Sequence, residues 1–166
     1  VCALSMSELT LAVCSVMTAS LGGRHYGRVG PVRVAVVAGP DPGHAFPALA
    51  LCLRFAAAGD DPVLLTGTEW LDTARAAGVE AVELAGLNPT EFDDDTDAGA
   101  KIHQRAARMA VLNVPVLTEL GCDFVISDVI TACGGMAAEL MGMPWIELCP
   151  HPLYLPSKGL PPIGSG

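Results

Sequence analysis

The regular part of the chain consists of short apolar runs that alternate with helical patterns and end at glycine or proline. The first run, VRVAVVA at 32–38, is rich in β-branched residues and is followed by the turn-forming segment GPDPG at 39–43. This pattern predicts a buried strand and then a sharp loop. Similar runs predict four further strands at 63–66, 81–84, 124–127 and 145–149.

The segments between these strands carry helical spacing. The first predicted helix, Ala45 to Ala58, has a proline in its first turn and a glycine directly after its end. The other helices are predicted at 69–77, 98–120 and 132–141, and the one at 98–120 is expected to be interrupted at Pro115. The polar, acidic stretch NPTEFDDDTD at 88–97 predicts a loop.

Strands and helices that alternate in this way indicate right-handed βαβ units. The predicted fold class is therefore α/β, a Rossmann-like parallel sheet sandwiched by helices, with the strand order 3-2-1-4-5. In such a sheet, ligands bind at the carboxyl ends of the strands where the strand order reverses, here between strands one and four. His44 lies in the loop after strand one and Asp128 ends strand four. We expect these two residues to face each other across one crevice.

A histidine beside a carboxylate at such a point is suited to act as a general base. The unperturbed pKa of histidine is near neutrality, and a carboxylate that accepts from one ring nitrogen fixes the tautomer. Each residue also has a purely structural interpretation. In that interpretation, His44 would cap the helix that starts at Ala45 or would bind a backbone carbonyl. Asp128 would cap the helix that follows it. A single carboxylate is not expected to both cap a helix and orient a histidine well.

The composition excludes several classes of function. The chain is 51% hydrophobic and 16% charged, which is typical of a folded domain with an apolar core. Its net charge of −9 argues against nucleic-acid binding, because phosphate recognition requires an excess of lysine and arginine. Membrane association is possible but is not indicated by the composition. The six cysteines form no CxxC pair and are interpreted as buried free thiols of a cytoplasmic protein.

Sequence motifs for cofactors and metals are missing. The segment at 39–43 is not GxGxxG, and the chain contains neither a P-loop nor GxSxG. Asp93, Asp95 and Asp97 have the spacing of a calcium loop. However, Ala98 and Gln104 occupy the positions where that loop requires glycine and glutamate. We therefore expect no metal site and no cofactor.

Residues 1–30 are predicted to form a poorly ordered N-terminal extension. The stretch LTLAVCSVMTASL at 9–21 is apolar but too short to span a bilayer. It is similar to the apolar region of a signal peptide, although Glu8 precedes it instead of a basic residue. A signal or anchor segment is the alternative interpretation.

Two segments of the chain carry a family resemblance, GHAFPALALCLRFAAAGDDPVLLTG at 43–67 and DFVISDVITACGGMAAELMGMPWIELC at 123–149. The first is similar to the opening loop, helix and second strand of GT-B glycosyltransferases of the macrolide and plant UDP-glucosyltransferase type, and the second is similar to a later stretch of these enzymes. The resemblance covers 32–150. Two departures are the stiff Pro40 and Pro42 before the glycine-histidine pair, and Asp60 where histidine or tyrosine is usual.

The resemblance implies a metal-independent, inverting transfer of a hexose from a nucleotide sugar to an acceptor hydroxyl. His44 would take the proton of that hydroxyl, and Asp128 would support His44. The residues implied to bind the acceptor are Gly43, Phe46, Pro47, Ile130 and His151.

The resemblance also implies a domain organisation. Residues 31–166 would form a truncated acceptor-binding domain, the N-terminal half of a GT-B fold, while the nucleotide-sugar donor binds to a C-terminal domain absent from this sequence. The expected acceptor is small and hydrophobic or lipid-like, and this chain alone is expected to be inactive. The alternatives are a non-catalytic Rossmann-like binding module and an inactive remnant.

Overall fold

A computed structural model describes residues 30–91 and 98–150 of the chain. Its five strands are β1 (Arg33–Val37), β2 (Asp61–Thr66), β3 (Glu80–Glu83), β4 (Phe124–Asp128) and β5 (Trp145–Leu148). Its four helices are α1 (Pro42–Ala58), α2 (Thr68–Ala76), α3 (Ala98–Leu120) and α4 (Cys133–Met141). The predictions for the N-terminal extension, for His151 and for most of the acidic loop lie outside the described residues.

The five strands form one parallel sheet in the order β3-β2-β1-β4-β5. This arrangement confirms the predicted fold class and strand order. Val37, at the end of β1, pairs with Leu65 of β2 on one side and with Ser127 of β4 on the other. The carboxyl ends of β1 and β4 therefore lie side by side at the point where the strand order reverses.

Helices cover both faces of the sheet, which explains why β1 is continuously apolar from Val34 to Val37. On one face, α3 and α4 pack against alternate residues of the strands, including Ala35, Val37 and Val125. On the other face, Phe55 of α1 contacts Phe124 of β4 edge to face, with 6.4 Å between the ring centroids. Because successive strand residues point to opposite faces, Phe124 and Val125 meet different helices.

Helix α1 begins earlier than predicted. Asp41 is its N-cap, the Asp41 side chain accepts a hydrogen bond from the N–H of Gly43 at 2.8 Å, and Pro42 occupies the first turn. Proline is well suited to this position because its fixed φ is helical and its missing N–H has no partner there. His44 therefore lies in the first turn of α1 and not in a preceding loop. The hypothesis that His44 caps this helix is wrong.

Helix α3 also differs from the prediction, because it continues through Pro115 without a break. A proline inside a helix removes one backbone hydrogen bond and crowds the preceding turn. Met109, Ala110 and Leu117 are buried on both sides of Pro115 and belong to the core under the sheet. Tertiary packing of this face stabilises the helix against the local cost of the proline.

The cysteines of the described ranges are free thiols at Cys52, Cys122, Cys133 and Cys149. Cys52 and Cys133 are buried, which confirms the predicted buried thiols at these two positions. Burial raises the pKa of each of these two thiols to about 12. In the same described ranges, no helix is both long enough and apolar enough to cross a membrane.

Candidate active site

The loop that leads from β1 into α1 is held in place by the neighbouring strand and helix. The hydroxyl of Thr66, at the end of β2, donates to the carbonyl of Gly39 at 3.3 Å. The indole N–H of Trp70, on α2, donates to the carbonyl of Pro40 at 2.7 Å. These contacts fix the loop from which α1 starts, and the start of α1 carries His44.

His44 and Asp128 meet where the ends of β1 and β4 lie side by side. Nδ1 of His44 lies 2.6 Å from Oδ1 of Asp128. Both residues are buried, with 7% of His44 and 1% of Asp128 exposed. The structure thus brings together the pair that the strand order predicted.

The second oxygen of the Asp128 carboxylate binds the turn between β4 and α4. Oδ2 accepts hydrogen bonds from the N–H of Ile130, the N–H of Thr131 and the hydroxyl of Thr131, each at 3.1 Å. Ala132 occupies the N-cap of α4 and makes no side-chain capping bond. The hypothesis that Asp128 caps α4 is therefore wrong, because it binds the preceding turn instead. One carboxylate nevertheless binds both the turn and the histidine, because Oδ2 accepts from the turn and Oδ1 contacts His44.

This network determines how His44 is oriented and which tautomer it adopts. An ionised carboxylate only accepts hydrogen bonds, and every partner of Oδ2 is a donor. Oδ1 therefore accepts from the Nδ1–H of His44, and Nε2 is the ring nitrogen that can take up a proton. Orientation of a histidine by a buried carboxylate is one arrangement that suits general-base catalysis.

A cavity of about 300 Å³ opens beside His44, at the lower end of the volumes of small-molecule pockets. Its wall is formed by the loop after β1, the start of α1, the turn before α4 and one face of α3. The lining residues are Gly39, Pro40, Asp41, His44, Leu87, Lys101, Ile102, Arg105, Ala106, Met109, Ile130, Thr131, Ala132 and Cys133.

Of the four described residues that were predicted to bind the acceptor, one lines this cavity. Ile130 lines it and is 60% exposed, whereas Gly43, Phe46 and Pro47 are not among the lining residues. Phe46 packs edge to face on the ring of Trp70, with 4.6 Å between the centroids. His151 lies outside the described residues.

Sequence reasoning missed the contribution of α3 to this cavity. Lys101, Arg105 and Met109 are spaced four residues apart, so they lie on one face of the helix, and all three line the cavity. This four-residue spacing is visible in the sequence and predicts a shared helix face. The sequence does not show that this face lies beside His44, because that depends on how α3 packs across the sheet. Within 30–91 and 98–150, no group of three or more His, Cys, Asp or Glu side chains is placed to hold a metal ion.

The fold can be compared with known proteins. No family model matches the sequence, and no curated protein sequence matches it. Among solved structures, the glycosyltransferase of kitacinnamycin superimposes with a TM-score of 0.61, at 23% identity over 72% of this chain. The chain has the fold of GT-B glycosyltransferases.

Two further GT-B structures have the same fold. SnogD from Streptomyces nogalater has a TM-score of 0.61 and 20% identity over 74% of this chain. The Streptomyces sp. SF2575 glycosyltransferase in complex with thymidine diphosphate has a TM-score of 0.53 and 19% identity over 70% of this chain. The chain covers 30%, 37% and 38% of the kitacinnamycin, SnogD and SF2575 enzymes respectively. It therefore spans about a third of the length of each.

Proposed function

We propose that this domain binds the acceptor in an inverting glycosyl transfer from a nucleotide sugar, with His44 as the general base and Asp128 as its positioning residue. The observation that carries this proposal is the 2.6 Å contact between His44 Nδ1 and Asp128 Oδ1 beside the cavity. The GT-B fold supports glycosyl transfer as the reaction class. The SF2575 enzyme, whose structure contains thymidine diphosphate, supports a nucleotide sugar as the donor.

In the proposed reaction, a hydroxyl of the acceptor lies in the cavity with its hydrogen directed at Nε2 of His44. The hydroxyl oxygen attacks the anomeric carbon as its proton passes to Nε2. A new carbon–oxygen bond forms while the bond to the nucleoside diphosphate breaks, and the bonding electron pair leaves with the diphosphate. A single displacement of this kind inverts the anomeric centre. Asp128 stabilises the imidazolium that forms, because its carboxylate faces the protonated ring.

The proposal assigns the donor to a second domain. The solved GT-B structures are about three times as long as the part they share with this chain. We place the nucleotide sugar in a C-terminal domain of the complete enzyme, and this chain supplies the acceptor side and the base. By itself, the chain is then expected to bind acceptors without transferring sugar.

The cavity supports a small and largely hydrophobic acceptor. Leu87, Ile102, Met109 and Ile130 are among its lining residues. Ile102 and Ile130 are also more than half exposed, so they present apolar surface at the cavity. Covering such surface with an apolar molecule is favourable by about 25 cal/mol for each Å² removed from water.

The test is His44→Ala in a protein that joins this domain to its nucleotide-sugar-binding domain. General-base catalysis contributes about 10²–10⁴-fold to a rate, so transfer should fall by that order while acceptor affinity changes little. His103→Ala is the matched control, because His103 is an exposed histidine on α3 outside the cavity lining. Turnover at the wild-type rate in His44→Ala would rule out the general-base assignment.

A further inference from the structure

The loop after β1 approaches the turn after β4 at Gly39. Gly39 and Thr131 both line the cavity beside His44. A methyl group at position 39 would lie 2.9 Å from Oγ1 of Thr131. Side-chain carbons almost never come this close to a nonbonded atom, because repulsion rises steeply below the packing distance of about 3.5 Å. Position 39 therefore has space for glycine, and not for alanine, while the Thr131 hydroxyl stays in place.

This requirement concerns space and not backbone conformation. Gly39 is not among the glycines with a positive φ, so an alanine can adopt its backbone conformation. Among the described residues, and apart from the chain neighbours of Gly39, the Thr131 hydroxyl oxygen is the one atom within 4 Å of the added methyl group. The conflict is thus between two groups, the methyl group and this hydroxyl.

The loop after β1 has no space to move away from the turn after β4. Because β1 pairs with β2 on its other side, a retreating loop would meet the residues that follow β2. The Gly39 carbonyl already accepts from the hydroxyl of Thr66 at 3.3 Å, and the Pro40 carbonyl accepts from the indole of Trp70. Pro40 also packs closely on Gly67, where a methyl group would lie 2.6 Å from Cβ of Pro40. The loop is therefore fixed on the β2 side.

The group that must move is the Thr131 hydroxyl, and this hydroxyl binds Asp128. Its Oγ1 lies 3.1 Å from Oδ2 of the carboxylate. A threonine side chain moves its oxygen by rotating about χ1 into another staggered rotamer, which carries Oγ1 away from Oδ2. Oδ2 then retains the backbone N–H donors of Ile130 and Thr131. The other oxygen of the same carboxylate contacts Nδ1 of His44 at 2.6 Å.

We propose that Gly39 is a positioning residue of the candidate active site, which leaves the space in which the Thr131 hydroxyl binds Asp128. Through Asp128, Gly39 then influences the hydrogen bond to His44. The inference rests on the proposed function for its effect on glycosyl transfer. It connects the loop after β1 to the turn after β4 by a contact that excludes any side chain at position 39.

The experiment measures the ¹H NMR signal of the His44 Nδ1–H in the 166-residue chain, assigned by its loss in His44→Gln. In Gly39→Ala the signal should move downfield, because a carboxylate that loses one donor is a stronger acceptor for its remaining partners. Thr131→Ala removes the hydroxyl directly and should produce a similar shift. The Gly39→Ala/Thr131→Ala variant should show the shift of Thr131→Ala alone, since the methyl group then meets no oxygen.

Two further variants serve as controls. Thr131→Ser keeps the oxygen, so adding Gly39→Ala in that background should move the signal as it does in the unmodified chain. Gly30→Ala adds a methyl group at a glycine that has no described atom within 4 Å of it, and it should leave the signal in place.

Thermal unfolding provides a second readout of the same contact. Gly39→Ala should lower the thermal midpoint by about 3–9 °C, as for an overpacked site in a chain of this size. In the Thr131→Ala background the same substitution should not lower it further. A Gly39→Ala chain that fails to fold, beside a double variant that folds, would also support the contact.

An unchanged signal in Gly39→Ala would overturn the inference. So would an equal effect of Gly39→Ala in the presence and absence of the Thr131 hydroxyl, or a double variant that does not fold. In the proposed two-domain enzyme, Gly39→Ala should lower kcat by about three- to tenfold, as for the loss of one hydrogen bond. An unchanged kcat, where His44→Ala abolishes transfer, would overturn the positioning role.

These results are distinguishable from a failure of the proposed function, because the NMR signal reports the bond between His44 and Asp128 and not transfer. If the signal behaves as expected but His44→Ala keeps full turnover, the general-base assignment fails. The connection from Gly39 through Thr131 to Asp128 would then still stand.

Discussion

The hydroxyl of Thr131 lies 3.1 Å from Oδ2 of Asp128, the carboxylate oxygen other than the one that contacts His44. Thr131 also donates its backbone N–H to the same oxygen and accepts a hydrogen bond at its carbonyl from the hydroxyl of Ser127. The turn after β4 is thus bonded both to the carboxylate and to the strand. The position of Asp128, and through it that of His44, depends on this turn.

The first prediction concerns Thr131→Val, which removes the hydroxyl but keeps the shape of the side chain. Two backbone donors to Oδ2 remain, so we expect a moderate loss of about three- to tenfold in kcat with a nearly unchanged KM for the acceptor. Steady-state kinetics of the proposed two-domain enzyme would measure this. Thr131→Ser keeps the hydroxyl and should restore the rate. An equal loss in the serine variant would show that the methyl group matters and not the hydrogen bond.

The second prediction concerns Asp128→Asn. An amide can donate to Nδ1 of His44, which would place the ring hydrogen on Nε2 and block proton uptake there. We expect transfer to fall by roughly a hundredfold, less than in His44→Ala. Because the amide oxygen can still accept from the turn, the thermal midpoint should change little. A turnover loss larger than that of His44→Ala would contradict this order.

The third prediction concerns Asn113, a buried side chain of α3. Its Oδ1 accepts from the N–H of Ala85 at 3.1 Å, and its Nδ2 donates to the carbonyls of Ala85 and Met109 at 3.0 and 2.7 Å. Asn113→Ala removes the amide that these backbone groups bind. Each buried backbone group that is left without a hydrogen-bond partner costs about 1–3 kcal/mol of stability. Urea denaturation should therefore show a loss of about 2–3 kcal/mol in the free energy of unfolding.

Thr118→Ala provides the control for Asn113. Thr118 is on the same helix, but its exposed hydroxyl binds only the carbonyl of Val114 within that helix. Its replacement should change the free energy of unfolding by about 0.5 kcal/mol or less, as for an ordinary surface position. Similar losses at the two positions would mean that the contact between Asn113 and Ala85 does not anchor α3.

The fourth prediction concerns the reactivity of the buried cysteines. Burial raises the pKa of the Cys52 and Cys133 thiols from 9.0 to about 12 each. The thiolate is the species that reacts, so three pH units mean about a thousandfold less of it in the folded state below pH 9. Iodoacetamide at pH 8, followed by peptide mass spectrometry, should modify both cysteines far more slowly in the folded chain than in urea.

The same shifts predict how stability depends on pH. A thiol with a raised pKa in the folded state releases its proton first in the unfolded chain. Stability from these two thiols is therefore fully present below pH 9 and is lost as the pH rises from about 9 toward 12.

In the iodoacetamide experiment, labelling of Cys133 at equal rates in folded and unfolded chains would contradict its burial, even though Cys133 lines the cavity.

Much of the fold was predictable because its signals are local. Runs of β-branched residues that end at glycine or proline located the strands, and right-handed crossovers then restricted the strand order. The proximity of His44 and Asp128 followed from that order, since it depends only on which strand ends are neighbours. One error arose where tertiary contacts outweigh local preference, at Pro115, where packing of α3 maintains the helix. The other was a missed local signal, because Asp41 and Pro42 form the capped start of α1 and place Gly43 inside the helix.

The sequence by itself determined the class of fold, the reversal of strand order beside β1, and the two residues that meet there. These follow from periodicity and chain connectivity, which are properties of short segments and of their succession. Only the tertiary structure decided which groups bind each oxygen of the Asp128 carboxylate, and which face of α3 completes the cavity. Both depend on side-chain directions across elements distant in sequence. The orientation of a helix against a sheet is set by the packing of its whole face, and no local segment specifies that packing.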